Sequence, residues 1–141
     1  MTPSPSGFQI TDHTADAGIR AWGPDLSSLF RAMAEGLFAT IVDPASVRPG
    51  KERHVSLDAE SSKDLLHEWL EEINTLHQIY REVYVEFEPS VEGGHLDAVL
   101  RGEPIDFERH DLRIEVKAVT WHDFEFKTTS RGLEAFVLLD I

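Results

Sequence analysis

The spacing of apolar residues changes period along this chain, and that change limits the fold more than any other feature. Leu26, Leu29, Phe30, Met33, Ala34, Leu37, Phe38 and Ile41 recur at i, i+3 and i+4, which places one apolar stripe along a helix. A second such stripe carries Leu65, Leu66, Trp69, Leu70, Ile73, Leu76 and Tyr80, with Glu68, Glu71 and Glu72 away from its centre. From Val83 onward the period falls to two, so that successive side chains point to opposite faces of a strand. A segment patterned for one period cannot bury its apolar face at the other.

Local signals bound these segments. Asp25, after Gly23-Pro24, predicts the N-cap of the first helix, and "DPASVRPG" ends it. Ser61, with Asp64 three residues on, predicts the start of the second helix. "RHVSLDAE" reads as a strand between the helices. Near the N-terminus, "FQITDHTADAGIRAWG" holds two short strand-like runs, with Phe8 and Ile10 alternating, then Ile19, Ala21 and, less cleanly, Trp22. Downstream, "VYVEFEPS", "HLDAVLRG", "LRIEVKAVTWH", "FEFKTTS" and "EAFVLLDI" are strand candidates. "EGG" (Glu92 to Gly94), "GEP" (Gly102 to Pro104) and "SRG" (Ser130 to Gly132) mark turns between them. The expected class is α+β, with two amphipathic helices packed on a mostly antiparallel β-sheet that ends in a meander. A chain of 141 residues is one domain's worth, assigned to residues 7–141, with residues 1–6 as a flexible N-terminal tail.

Charge narrows the function. Twenty-six acidic residues face 13 basic ones, and protonating all seven histidines would still leave the chain at -6. Such a surface repels a phosphate backbone, and no cluster of Lys and Arg supports counterion release. Direct nucleic-acid binding is not expected, whereas divalent cations and basic protein partners are favoured. There is no cysteine, which fits a reducing cytoplasm and excludes thiolate chemistry. No apolar run has the roughly 20 residues needed to span a bilayer, and "MTPSPSG" lacks the regions of a signal peptide.

Few residues stand out as chemical. Asp12 and Asp16 flank "HTA", a pattern that serves either turn capping or a cation. The chain reads to Asp140 and Ile141, so the α-carboxylate of Ile141 lies beside the Asp140 carboxylate. At an effective dielectric of about 20, two such charges roughly 5 Å apart repel by about 3 kcal/mol. Either both lie in water, or a hard divalent cation, calcium or magnesium, joins oxygen ligands there. Alternation puts Leu112, Ile114, Val116 and Ala118 on one strand face and Lys117 on the other, with Arg113, Glu115, Val119 and Trp121. Lys117 is then a solvated surface cation or one placed to touch a partner. His13 and His122 each adjoin an Asp, but no pair of histidines has zinc-ligand spacing. There is no phosphate-cradling glycine loop and no nucleophile elbow.

"DHTADAGIRAWG", a helix of the "LFRAMAEGLFATIVD" type, "KAVTWHD" and a terminal "LDI" occur in this order, and together they resemble the archease family from Phe8 to Ile141. The resemblance implies a small α+β protein that is not an enzyme. It implies an activator of the tRNA-splicing RNA ligase, which joins RNA 3′-phosphate ends to 5′-hydroxyls, acting by promoting guanylylation of the ligase and its multiple turnover. It further implies a calcium-like ion held by Asp16, Asp140 and Ile141, and a role for Lys117 in activating the ligase. On chemistry alone Asp12, His13 and Asp43 are candidates to support that ion from behind its ligands. The competing classes are a metal-dependent phosphohydrolase, with His13 as its base, and a general acidic chaperone or interaction module.

Overall fold

Asp25 starts the first helix as expected. Its carboxylate accepts from the Ser28 amide (2.8 Å), and the Asp25 amide donates to Ser28 Oγ (3.2 Å). This reciprocal pair satisfies two amides that have no partner within a helix, and helix α1 runs Leu26–Ile41. The computed structural model describes residues 5–12 and 16–141, with Asp12 described by its backbone alone. Ser61 caps the second helix, α2, Ser62–Tyr80, by accepting from the Asp64 amide (3.1 Å).

The strands are β1 (Gly7–Asp12), β2 (Asp16–Gly23), β3 (Lys51–Asp58), β4 (Glu82–Glu92), β5 (His95–Pro104), β6 (Ala118–Val119), β7 (Glu125–Thr129) and β8 (Gly132–Asp140). Every pairing is antiparallel. The strands form two sheets rather than one. The larger is ordered β1-β2-β8-β6, with β7 also on β8, and the smaller is β3-β5-β4. The α+β class holds, with both helices packed on antiparallel sheet. One continuous core joins Ile19 and Ala21 of β2, Phe30, Met33 and Leu37 of α1, Trp69 and Ile73 of α2, Leu100 of β5 and Val137 of β8.

Gly36 shows how closely α1 lies on β2. A Cβ there would come within 2.7 Å of Ile19 Cγ2 and 3.2 Å of the Phe8 ring. Only a residue without a side chain permits that approach.

Three local expectations are corrected. Gly102 lies inside β5, not in a turn, because it faces a bulge in β4 between Tyr84 and Glu86. A Cβ on Gly102 would meet the Val83 carbonyl at 1.9 Å, so the glycine marks a close backbone approach. Tyr80 was placed on the buried stripe of α2 but is 50% exposed. The helix ends just beyond it, at Arg81 in the left-handed conformation (φ 53°), and the Arg53 guanidinium covers its ring at 3.6 Å.

The third correction is the long strand expected over "LRIEVKAVTWH". Only Ala118 and Val119 form a strand, preceded by one bridge from Leu112 to Val42. The reason is that the backbone groups before Ala118 find other partners. The Arg113 amide donates to the Ile41 carbonyl at the end of α1 (2.8 Å). The Val116 carbonyl accepts from Asn74 Nδ2 (3.2 Å) and Gln78 Nε2 (2.9 Å) of α2. Alternation fails with it: Val116 and Val119 are buried, while Leu112 and Ala118 are exposed.

Candidate metal and partner site

The register of β2 on β8 sorts their residues into two faces. Ala17, Ile19 and Ala21 lie opposite Leu139, Val137 and Ala135, and all six are buried in the core. By alternation the other face carries Asp16 opposite Asp140, Gly18 opposite Leu138 and Arg20 opposite Phe136. Directly opposed residues on one face have Cβ atoms about 5 Å apart, and like charges so placed are destabilising. The fold therefore brings Asp16 and Asp140, distant in sequence, to one end of the larger sheet.

Asp16 Oδ1 is buried and has no hydrogen-bond partner. Asn74 Oδ1 and Thr120 Oγ1 share that condition, while His67 Nδ1 lies 2.5 Å from Glu71 Oε1; of the three unpartnered atoms only that of Asp16 belongs to a carboxylate. Leaving a charged group buried without a partner is the costliest of such cases. A bound cation would supply the missing partner, so the donor chemistry at this end fits a hard, oxygen-seeking ion. The two aspartates do not complete a site by side chains alone. Among the described residues no three His, Cys, Asp or Glu side chains converge. Ile141, adjoining Asp140, is half-buried and packs against the core.

Lys117 sits beside this pair. Its amide donates to the Asp140 carbonyl (2.7 Å), and the next residue, Ala118, is the register partner of Asp140. The peptide unit between Val116 and Lys117 is thus held at both ends, its carbonyl by Asn74 and Gln78 of α2 and its amide by β8. The Lys117 side chain is exposed and has no carboxylate partner among the described residues. A cation so placed is free to meet a partner. Nothing in the spacing of Asn74 and Gln78 distinguished them from ordinary helix amides.

The remaining candidates fall elsewhere. Asp43 accepts from the Ala45 amide (3.1 Å) as the cap of a 3-10 turn, Pro44–Ser46, and pairs loosely with Arg113 (3.9 Å). Its carboxylate is occupied there. His13 and the Asp12 side chain lie outside the described residues; the Asp12 backbone pairs with Ala17. His122 is exposed next to Asp123 (3.4 Å). His67 is buried, with Nε2 against the Thr120 carbonyl (3.0 Å), and Trp121 stacks on its ring at 3.6 Å.

Residues 8–141 match the archease protein family (MTH1598/TM1083). Protein archease of Thermococcus gammatolerans is 38% identical over 125 residues, covering 86% of this chain and 88% of that protein. Protein archease of Methanothermobacter thermautotrophicus is 35% identical over 139 residues, covering 96% and 99%. The solution structure of Methanobacterium thermoautotrophicum protein 1598 is similar with a TM-score of 0.80 at 35% identity, covering 96% of this chain and 99% of that one. A Thermotoga maritima crystal structure described as an archease, possible chaperone, shares the fold with a TM-score of 0.63 at 19% identity, over 93% and 94%. The family match over nearly the whole chain, together with these identities, shows that the chain belongs to the archease family.

Proposed function

We propose that this chain is a non-enzymatic activator of the tRNA-splicing RNA ligase, which joins RNA 3′-phosphate and 5′-hydroxyl ends. It promotes guanylylation of the ligase and repeated turnover. In this reading Asp16, Asp140 and the main-chain carboxylate of Ile141 would hold a divalent cation, calcium or magnesium, and the exposed Lys117 acts on the ligase. The supporting observation is the buried, unpartnered Asp16 Oδ1 in register with Asp140. The ion would neutralise opposed carboxylates and fix the end of β8. Through the Asp140 carbonyl, that end holds the Lys117 amide. The chain's excess of acidic residues suits docking beside the basic channel that a ligase needs to grip RNA, where charge complementarity speeds association.

The test joins stability to activity. A ligand that binds only the folded state stabilises it by about 2.7 kcal/mol at a hundredfold excess over its Kd. Calcium should raise the melting temperature, a chelator should lower it, and Asp16→Ala should remove the difference. In parallel, adding the protein should accelerate guanylylation of the purified ligase. Identical melts with calcium and chelator would refute the ion site. An unstimulated ligase would refute the activator role, and hydrolysis of simple phosphate esters by the isolated protein would favour the phosphohydrolase.

A further inference from the structure

Both helices end at the same open cleft, of about 670 Å³, which is lined as well by Ile105, Phe107 and residues 112–115 and 117. Its apolar lining includes Ile41, Phe107, Leu112 and Ile114, and its cations are Arg81, Arg113 and Lys117. Glu115 is the only carboxylate on its wall. This concentration of positive charge is unusual in a chain of net charge -13. Neither Arg81 nor Lys117 pairs with a carboxylate among the described residues, although acidic residues outnumber basic ones two to one. Phe107 is 68% exposed and Leu112 36% exposed; Ile79 and Tyr80, in the last turn of α2, are exposed as well. Apolar surface rimmed by polar residues marks a protein-interaction site.

We propose that this cleft is a docking site for an acidic protein segment that carries aliphatic or aromatic side chains. At physiological salt charges are screened beyond about 8 Å. A bound segment therefore feels Arg81, Arg113 and Lys117, offset locally by Glu115 on the wall and by Asp43 at 3.9 Å from Arg113, more than the acidic surface farther away. The apolar floor between them takes the segment's side chains. A phosphate group fits less well. Anion sites of that kind use the free amides of a helix N-terminus, whereas here both helices present their C-terminal ends. Arg113 Nη1 already donates to the Ala39 carbonyl near the end of α1 (3.3 Å), and the Arg81 carbonyl accepts from the Ile105 amide (2.8 Å). The proposal shares Lys117 with the ligase reading but uses none of the ion-site residues, and its test variant leaves Lys117 in place, so the two can fail separately.

The test is selection from a random peptide library displayed on phage, using the intact protein, with counter-selection on a Phe107→Ser, Arg81→Asn double variant. Phe107 is mostly exposed, and Asn tolerates the left-handed backbone of Arg81, so the variant should melt as the parent does. Enriched peptides should combine Asp or Glu with Leu, Ile, Phe or Trp. They should bind the double variant at least about tenfold more weakly, a difference of about 1.4 kcal/mol, and shift the backbone resonances of residues 105–117. Inorganic phosphate and a nucleoside triphosphate are titrated in the same assay. No enrichment, enrichment of neutral or basic peptides, equal binding to the variant, or shifts caused by the phosphates alone would each overturn the proposal.

Discussion

Lys117 is held through its main chain, not its side chain. The amide that donates to Asp140 survives replacement by alanine, and the side chain is exposed. Lys117→Ala should therefore change stability by less than about 0.5 kcal/mol while lowering ligase guanylylation. A large drop in melting temperature would show instead that the side chain is structural. Glu82 is the opposite case. Its carboxylate is 3% exposed and meets Arg53 (2.6 Å), Lys51 (3.0 Å) and the Tyr84 hydroxyl (2.8 Å). Burial pushes its pKa up, but these partners outweigh burial and hold it at about 2, below the ordinary 4.5. A carboxyl whose folded pKa is depressed stabilises fully above its unfolded value. That contribution should fade as pH falls from about 4.5 toward about 2. Glu82→Gln should cost about 3 kcal/mol at neutral pH. Denaturant titrations from neutral to acid pH should show a flatter profile for the variant than for the parent; parallel profiles would rule out this origin of acid sensitivity.

At the scale of elements, Gly36 opposes two effects. Alanine in a helix interior is better than glycine by roughly 0.5–1 kcal/mol. Here the added methyl would sit 2.7 Å from Ile19 Cγ2, and overpacking a core costs roughly 1–3 kcal/mol. Gly36→Ala should therefore lower stability, and a gain in the denaturation midpoint would mean that α1 moves off β2 easily. The Asn74 and Gln78 clamp belongs to this scale as well. Asn74→Ala should cost about 1–3 kcal/mol, since it weakens the hold on a buried Val116 carbonyl. Hydrogen exchange should rise at the Lys117 amide if α2 positions that peptide. The second helix was legible from its Leu65-to-Leu76 stripe and its Ser61 cap, because those signals are local. The interruption of the strand expected from Leu112 was not, because Asn74 and Gln78 of α2 satisfy the Val116 carbonyl, and no period in the sequence records that.

For the whole molecule, charge governs behaviour with other macromolecules. At -13, with only three of its 13 basic residues, Arg81, Arg113 and Lys117, lining this cleft, the isolated protein should not retard a tRNA-sized RNA in a gel at moderate salt. Its association with the ligase should weaken as salt rises, because rim charges act mainly on the association rate. Tight, salt-insensitive RNA binding by the protein alone would contradict this. Among the described residues no helix is long and apolar enough to cross a membrane.

The sequence by itself determined the two helices, their caps, most of the strands and the α+β class, since each rests on neighbours within a few residues. It also marked "DHTAD", "KAVTWH" and the terminal "DI" as the informative segments. Only the tertiary structure decided that the strands divide into two sheets, that β8 pairs with β2 and β6, and that Asp16 consequently faces Asp140 beside the Lys117 amide. It alone gathered Arg81, Arg113 and Lys117 around one cleft. The physical reason is range. Caps and periodicity act within a helical turn or along one strand, whereas pairing joins residues as far apart as Asp16 and Asp140 and depends on which apolar faces the whole chain can bury together.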